Sequence, residues 1–179
     1  MVAVIQEKRA PTKAEFHEAI ATRSPRWYAA CLRITHNPDM AQDAVQDALL
    51  SAWNKRHQFE STARLDTWIH RIAINAALQL LRKNRPERAE PLDFEIQDEG
   101  VTPEAASADA DLESRLEVSL RRLTEIERVC FVLKHLEQWR IREIAEELGT
   151  NDGNIKQALF RGVRKLRRSM TDLRSQHDE

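Results

Sequence analysis

The chain has 179 residues, of which 32% are charged, yet its formal net charge at pH 7 is only −1. That length allows one compact domain or two small ones, and the near-neutral total gives no general indication of a nucleic-acid partner. The two cysteines are too few for a disulfide framework, and the sequence has neither a long apolar run nor a signal-peptide core, so we expect a soluble cytoplasmic protein.

Apolar residues recur at helical spacing along most of the chain, and almost no stretch alternates with a period of two. This pattern predicts an all-α protein. In the N-terminal part, Phe16, Ala19 and Ile20 predict a first short helix, and a second helix is expected to begin near Pro25. The segment Asn37-Pro38-Asp39 predicts a turn after it.

The next predicted helix has two distinct faces. Its apolar stripe comprises Ala41, Ala44, Val45, Ala48, Leu49 and Ala52. The opposite face carries Asp43, Gln46 and Asp47 together with a leucine, Leu50, that does not fit a solvated surface. After a polar segment, a long helical pattern begins at Leu65 and ends before Pro86, since proline does not continue a helix.

Residues 87–111 differ in composition from both flanking parts. Acidic residues dominate this stretch, and Pro91, Gly100 and Pro103 interrupt it. It contains too little apolar surface to offset the entropy of ordering, so we expect a flexible acidic linker. The predicted architecture is therefore two small helical domains, at 12–86 and 112–175, joined by this linker.

The second domain contains the strongest local signals. Thr124 and Glu127 match a capping box that opens a helix. Further on, an amphipathic stretch from Ile141 to Leu148, a turn at Gly149 and a second amphipathic stretch predict a helix-turn-helix, whose second helix enters the major groove. On that second helix, Asn154, Lys156, Gln157 and Arg161 are expected to reach base edges or phosphates.

Basic residues accumulate along the same helix almost without acidic neighbours. They are Arg161, Arg164, Lys165, Arg167, Arg168 and Arg174. Such a run is the electrostatic footprint of a DNA-binding surface, which the acidic linker cancels in the whole-chain sum. The competing interpretation is a merely solvated helix face. A helix-turn-helix alone also fits an ordinary transcription regulator.

The N-terminal half carries a second set of motifs. The segments from Asp39 to Trp53 and from Leu65 to Asn75, with Phe59 between them and Lys83 behind, closely resemble the second domain of extracytoplasmic-function sigma factors. Residues 112–168 are similar to the fourth domain of the same family. The resemblance implies a protein that recruits core RNA polymerase to promoter DNA and promotes strand opening, often under the control of an anti-sigma factor.

The resemblance also implies roles for individual residues. Those expected to bind the core polymerase are Asp43, Gln46, Asp47, Leu50 and Trp53. Those expected to contact the minus-thirty-five element, on the second helix of the helix-turn-helix, are Asn154, Lys156, Gln157, Phe160, Arg161 and Lys165. Those expected to contact the minus-ten element are Phe59, Ser61, Thr62, Arg64, Trp68, Arg71 and Asn75. A melted strand requires stacking surfaces, an amide for base edges and cations for phosphates, and this set supplies all three.

Several interpretations stay open at this stage. Trp53 and Trp68 also have the spacing of core residues. The chain differs from the family pattern at Gln42, where a further acid is common, at Ser61, where glycine is common, and at Thr124, where proline is common. The six histidines have no metal-ligand spacing and no nucleophile–base pair is visible, so we expect no metal, no cofactor and no catalysed reaction.

Overall fold

The computed structural model describes residues 9–60, 63–84 and 112–175, and in the last range it describes side chains for 116–169. Seven α-helices and two short helical turns make up these ranges, and none of the described residues lies in a strand. The prediction of an all-α protein is confirmed for them. The predicted linker at 87–111, and the candidate contacts Ser61 and Thr62, lie outside the described residues.

The chain divides into two compact units, Met1–Arg85 and Pro86–Glu179. The first contains α1 (Lys13–Thr35), α2 (Pro38–Asn54), a 3₁₀ turn (Arg56–Gln58) and α3 (Leu65–Lys83). The three helices pack against one another.

Helix α1 corrects the prediction of two separate helices. Pro25 lies inside a single helix of 23 residues, although a proline there removes one backbone hydrogen bond. Its ring is exposed, while Phe16 before it and Trp27 and Ile34 after it are buried on one continuous face. Burial along the whole face therefore outweighs the lost hydrogen bond.

The turn between α1 and α2 has the local chemistry that its sequence indicates. His36 ends α1 in the left-handed conformation at φ 55°. The Asn37 side chain accepts a hydrogen bond from the Met40 amide at 3.0 Å, and Pro38 is the first residue of α2. The residues that α2 buries are all alanines: Ala41, Ala44, Ala48 and Ala52. Side chains this small let α2 lie close to its two neighbours.

The second unit contains α4 (Leu112–Leu120), α5 (Glu125–Phe131) with a π-helical continuation (Val132–Leu136), α6 (Ile141–Leu148) and α7 (Asp152–Ser175). The predicted capping box is confirmed, because the Thr124 hydroxyl accepts from the Glu127 amide and the Glu127 carboxylate accepts from the Thr124 amide.

The helix-turn-helix is formed by α6, a tight turn and α7. Gly149 ends α6 in the left-handed region at φ 65°, a conformation that glycine adopts without strain. The Asn151 side chain then accepts from the Asn154 amide at 3.0 Å and so satisfies a free donor at the start of α7. A Cβ at Gly153 would lie 3.0 Å from that capping oxygen, so a glycine keeps the cap unobstructed.

Candidate functional site

The outer face of α2 carries all five candidate polymerase-binding residues. Asp43, Gln46 and Asp47 are exposed, and Leu50 is 65% exposed, which is unusual for an aliphatic side chain of this size. This face is thus acidic with an apolar residue at its centre. That combination suits a basic protein surface with an apolar contact point.

Trp53, at the end of the same face, combines packing with exposure. Its ring meets the Phe16 ring edge-on at 5.2 Å between centroids, and the Arg56 guanidinium lies 4.3 Å from its centroid. The residue is nevertheless 37% exposed. It therefore anchors the start of α1 and also contributes exposed surface beside Leu50.

A cavity of about 500 Å³ lies between α2 and α3 in the first unit. Its wall includes Asp47, Ser51, Lys55 and Gln58 from α2 and the following turn, and Trp68, Ile72, Asn75, Gln79 and Lys83 from α3. Two of the candidate minus-ten residues, Trp68 and Asn75, are thereby brought together. The wall residues that were not among the predicted site residues are Ser51, Lys55, Gln58, Ile72, Gln79 and Lys83.

Asn75 is the most informative member of this wall. Its Oδ1 atom is buried and has no hydrogen-bond partner in the described part of the chain. An unsatisfied buried polar atom costs about 1 to 3 kcal/mol, so its presence beside a cavity calls for a reason. A ligand that donates a hydrogen bond into the cavity would supply the missing partner.

Aromatic surface continues from the cavity to the segment that precedes α3. The Phe59 and Trp68 rings lie 5.4 Å apart between centroids and are tilted by 52°, and each side chain is half-buried. Arg64 stands at the N-cap of α3 with an exposed side chain, and Arg71 is exposed in the second turn of the helix. An aromatic pair flanked by cations can stack a base and contact its phosphate.

Asp66 holds this region to α1. Its carboxylate pairs with Arg64 at 3.0 Å and with Arg23 of α1 at 3.3 Å. Burial raises the pKa of the Asp66 carboxyl, but the hydrogen bond and charge of Arg64 and the charge of Arg23 outweigh that effect, and the net pKa lies below its ordinary value. The ionised carboxylate therefore ties the segment before α3 to the helical core.

The candidate residues on α7 fall into two groups. Lys156, Gln157 and Phe160 are exposed, and Phe160 is 68% exposed, as a surface that meets DNA or another protein requires. The other group already has intramolecular partners. Asn154 donates to the Thr150 hydroxyl at 2.9 Å, and Lys165 pairs with Glu127 at 3.0 Å.

Arginines dominate the part of the α7 surface that follows Phe160. Arg164, Arg167 and Arg168 are exposed, and Arg161 is partly buried. The side chain of Arg174 lies outside the described residues. The buried face of the same helix consists of Ile155, Ala158, Leu159 and Leu166, which fix it to the unit. Because its buried face packs against the rest of the unit, the exposed basic face of this helix can contact a DNA duplex.

Other kinds of site find no support in the described residues. Within them, no group of three or more histidine, cysteine or acidic side chains is placed to hold a metal ion. Nor does any of the described helices have the length and apolar character needed to cross a membrane. Cys31 and Cys130 are buried thiols, and burial, followed by the charge of Glu127, raises the pKa of Cys130 to about 12.

Comparison with known proteins identifies the family. Residues 20–87 match the family model of sigma-70 region 2, and residues 114–166 match that of sigma-70 region 4. The first match covers the helices that carry the α2 face and the cavity, and the second covers the helix-turn-helix. A helix-turn-helix regulator without a promoter-melting domain leaves the first match unexplained.

Individual relatives agree with the family models. The extracytoplasmic-function RNA polymerase sigma factor SigW of Bacillus subtilis is 27% identical over 170 residues, which cover 88% of this chain and 90% of SigW. The RNA polymerase sigma factor CarQ of Myxococcus xanthus is 29% identical over 161 residues, which cover 88% of this chain and 90% of CarQ. SigM of Mycobacterium tuberculosis is 33% identical over 130 residues, which cover 72% of this chain and 63% of SigM.

A solved structure has the same fold. It is the sigma factor RpoE of Bartonella quintana in complex with the anti-sigma factor NepR, and it matches with a TM-score of 0.57 at 24% identity. The match covers 88% of this chain and 97% of that one. On the two region matches and these relatives, the chain belongs to the sigma-70 family of RNA polymerase sigma factors, in its extracytoplasmic-function group.

Proposed function

We propose that this sigma factor opens promoters by capturing an unstacked base of the minus-ten element in the cavity between α2 and α3. The observation that carries the proposal is the buried Asn75 Oδ1, which has no partner in the described residues and borders that cavity. A base edge offers the amino donor that this oxygen lacks. Trp68 offers a stacking surface in the same wall, and Lys55 and Lys83 offer charge for phosphates.

The α7 helix reads the minus-thirty-five element in this proposal. Its exposed Lys156, Gln157 and Phe160 face solvent, while Ile155 and Leu159 hold it from behind. Lysine and glutamine reach base edges or phosphates, and an aromatic side chain can contact a thymine methyl group. Arg161 completes the contacting surface.

The outer face of α2 docks on core RNA polymerase. Its exposed Asp43 and Asp47 meet a basic surface, and the exposed Leu50 supplies an apolar contact at the centre. Core polymerase then sets the spacing of the two DNA-reading units. The free energy for strand opening comes from these contacts, and the chain itself catalyses no reaction. We place this activity in the cytoplasm, where the polymerase and the promoter are found.

A regulatory protein partner also belongs to the proposal. The solved relative RpoE is bound to an anti-sigma factor. The exposed Leu50, Trp53 and Phe160 are the kind of surface that such a protein covers. An anti-sigma factor that buries the α2 face would prevent polymerase binding by direct competition.

Replacing Asn75 with alanine tests the base-capture proposal. We expect the free energy of promoter opening by the reconstituted holoenzyme to become less favourable by about 1 to 3 kcal/mol. The reason is that the amino group of a captured base finds no acceptor in the variant. Permanganate reactivity of the opened strand is the measurement. Asn54→Ala, which changes an exposed asparagine that is not part of the cavity wall, is the matched control. Normal opening by the Asn75 variant would refute base capture at this position.

Replacing Asp47 with lysine tests polymerase docking. Reversing the charge at a complementary interface typically costs several kcal/mol, so co-purification with core polymerase should be lost while the circular dichroism spectrum stays helical. Glu18→Lys reverses an exposed acid on α1 and serves as the control. Wild-type assembly of the Asp47 variant would show that this face does not contact the polymerase.

A further inference from the structure

A buried carboxylate joins the start of α5 to the middle of α7. The Glu127 side chain is only 4% exposed, and its Oε2 atom lies 3.0 Å from the Lys165 ammonium. The same oxygen accepts a hydrogen bond from the Thr124 amide at 3.0 Å. Glu127 therefore caps its own helix and also binds a helix 38 residues further along the chain.

The two helices also touch beside this ion pair. A Cβ added at Gly162, one turn before Lys165, would lie 3.6 Å from both the Cβ and the carbonyl oxygen of Glu127, and 3.8 Å from Leu123. Residues three apart share a helix face, so Gly162 and Lys165 present one surface to α5. Contact and ion pair together form a joint between the two helices.

The joint lies on the same continuous helix as the DNA-reading residues. Lys156, Gln157 and Phe160 precede Gly162 within α7, so the angle at which α7 crosses α5 determines where these side chains are held. Lys165 is 28% exposed and its ammonium is engaged by Glu127. Breaking a buried pair by removing one partner is strongly unfavourable, because the other charge is left uncompensated.

We infer that Glu127 and Lys165 are positioning residues, which orient the DNA-reading face of α7, and that Lys165 acts through Glu127 instead of through a DNA phosphate. The inference rests on the proposed role of α7 in reading the minus-thirty-five element. Small errors in the placement of a reading helix displace several base contacts at once. The pair therefore controls promoter affinity without touching DNA.

The two possible roles of Lys165 predict opposite results for Glu127→Gln. If Lys165 contacts a phosphate, this change removes a nearby negative charge and releases the ammonium, so promoter affinity should rise or stay the same. If the pair orients α7, affinity should fall. Glutamine still accepts the Thr124 amide hydrogen bond of the capping box, and the partly exposed Lys165 can reach water, so the domain should fold.

The experiment measures promoter affinity of reconstituted holoenzyme at several salt concentrations. We expect Glu127→Gln and Lys165→Gln each to weaken binding about tenfold, the order of one lost base contact. The double variant should be no weaker than either single variant, because both remove the same interaction. The slope of log affinity against log salt should not change, since no phosphate contact is lost.

Two controls separate this inference from the proposal on which it rests. Glu146→Gln neutralises an exposed carboxylate of α6 that pairs with Arg142, and it should leave affinity unchanged. Lys156→Ala should weaken binding if α7 reads DNA at all. Wild-type affinity of the Lys156 variant would count against the function proposed for α7, whichever way the Glu127 variant behaves.

Two results would overturn the inference while leaving the function of α7 intact. One is an affinity of the Glu127→Gln holoenzyme equal to or above that of the wild type. The other is a double variant whose loss of affinity is the sum of the two single losses, together with a slope of log affinity against log salt that falls by about one in Lys165→Gln. Such a fall is expected when one phosphate contact is lost. Should Glu127→Gln unfold at the assay temperature, the salt slope of Lys165→Gln alone decides between the two roles.

Discussion

Helix α2 of the first unit and the helices of the second unit bury side chains of different size. The buried residues of α2 are all alanines, and two of its larger apolar residues, Leu50 and Trp53, lie at the surface. In the second unit, large aliphatic residues such as Leu120, Leu133 and Ile144 are fully buried. Small side chains thus bring α2 close to its neighbours while two bulky residues lie on its outer face, whereas the helices of the second unit bury their bulky residues.

The comparison predicts that the core of the second unit is more sensitive to truncation than the buried face of α2. Leu133→Ala should lower the free energy of unfolding of that unit by about 2 to 5 kcal/mol, because it leaves a cavity among large side chains. Differential scanning calorimetry of the full chain is the measurement. A loss below about 1 kcal/mol would mean that this core collapses around the missing side chain.

The first unit should be sensitive to the opposite change. Ala48→Leu adds three carbon atoms where α2 contacts its neighbours, and overpacking of this kind typically costs about 1 to 3 kcal/mol. The transition assigned to the first unit should move to lower temperature while the second is unaffected. If the variant is as stable as wild type, α2 does not depend on close contact through its alanines.

Each unit also contains a carboxylate in the first turn of a helix that pairs with another helix, and the two pairs differ in exposure. The Asp66 side chain is 15% exposed and its partner Arg23 41%, against 4% for Glu127 and 28% for Lys165. Solvent screening therefore limits the contribution of Asp66, and we expect Asp66→Asn to cost at most about 1 kcal/mol at neutral pH.

The pH dependence of this effect follows from the lowered pKa of Asp66. A carboxyl whose pKa is lower in the folded state stabilises the fold above its unfolded pKa, and this contribution is lost as the pH falls through the folded value. The difference in unfolding free energy between wild type and Asp66→Asn should therefore be largest at neutral pH, begin to fall near the ordinary pKa of 3.8, and be lost only as the pH drops through the lower folded value. Urea unfolding at several pH values measures this difference in free energy. A difference that increases at acid pH would show that the ion pairs of Asp66 with Arg64 and Arg23 do not stabilise the fold.

The smallest effect on stability is expected at Leu50, which is exposed on the outer face of α2. Leu50→Ala should change the free energy of unfolding by no more than about 0.5 kcal/mol, because the side chain contributes little to the core. Its effect on affinity for core polymerase should nevertheless be measurable by titration. A stable variant that binds polymerase normally would mean that this leucine has no role in docking.

Much of the fold follows from local signals in the sequence. The capping box of Thr124 and Glu127 and the glycine at the end of α6 act within one helical turn, and each was predicted and confirmed. The two long motif segments of the N-terminal half likewise lie within single helices, residues 39–53 in α2 and residues 65–75 in α3. The prediction of a helix break at Pro25 was wrong, because burial of Trp27 and Ile34 against the other helices depends on tertiary contacts that no local pattern records.

The candidate site divides in the same way. Helical spacing along α3 already placed Trp68 and Asn75 near one another, and the next turns of the same helix carry Gln79 and Lys83. The opposite wall of the cavity, with Lys55 and Gln58, depends on how α2 packs against α3. Helix periodicity determines which residues share a face, but it carries no information about which other face they meet.

The sequence by itself thus determined the helices apart from the continuity of α1, the cap at Thr124, the turn at Gly149 and the exposed acidic face of α2, since each depends on residues within a few positions of one another. Only the tertiary structure decided that Lys165 meets Glu127 and that Asn75 keeps an unpaired oxygen beside a cavity. These facts depend on distances between helices far apart in the chain, which are set by how side chains of different size fill the space between them.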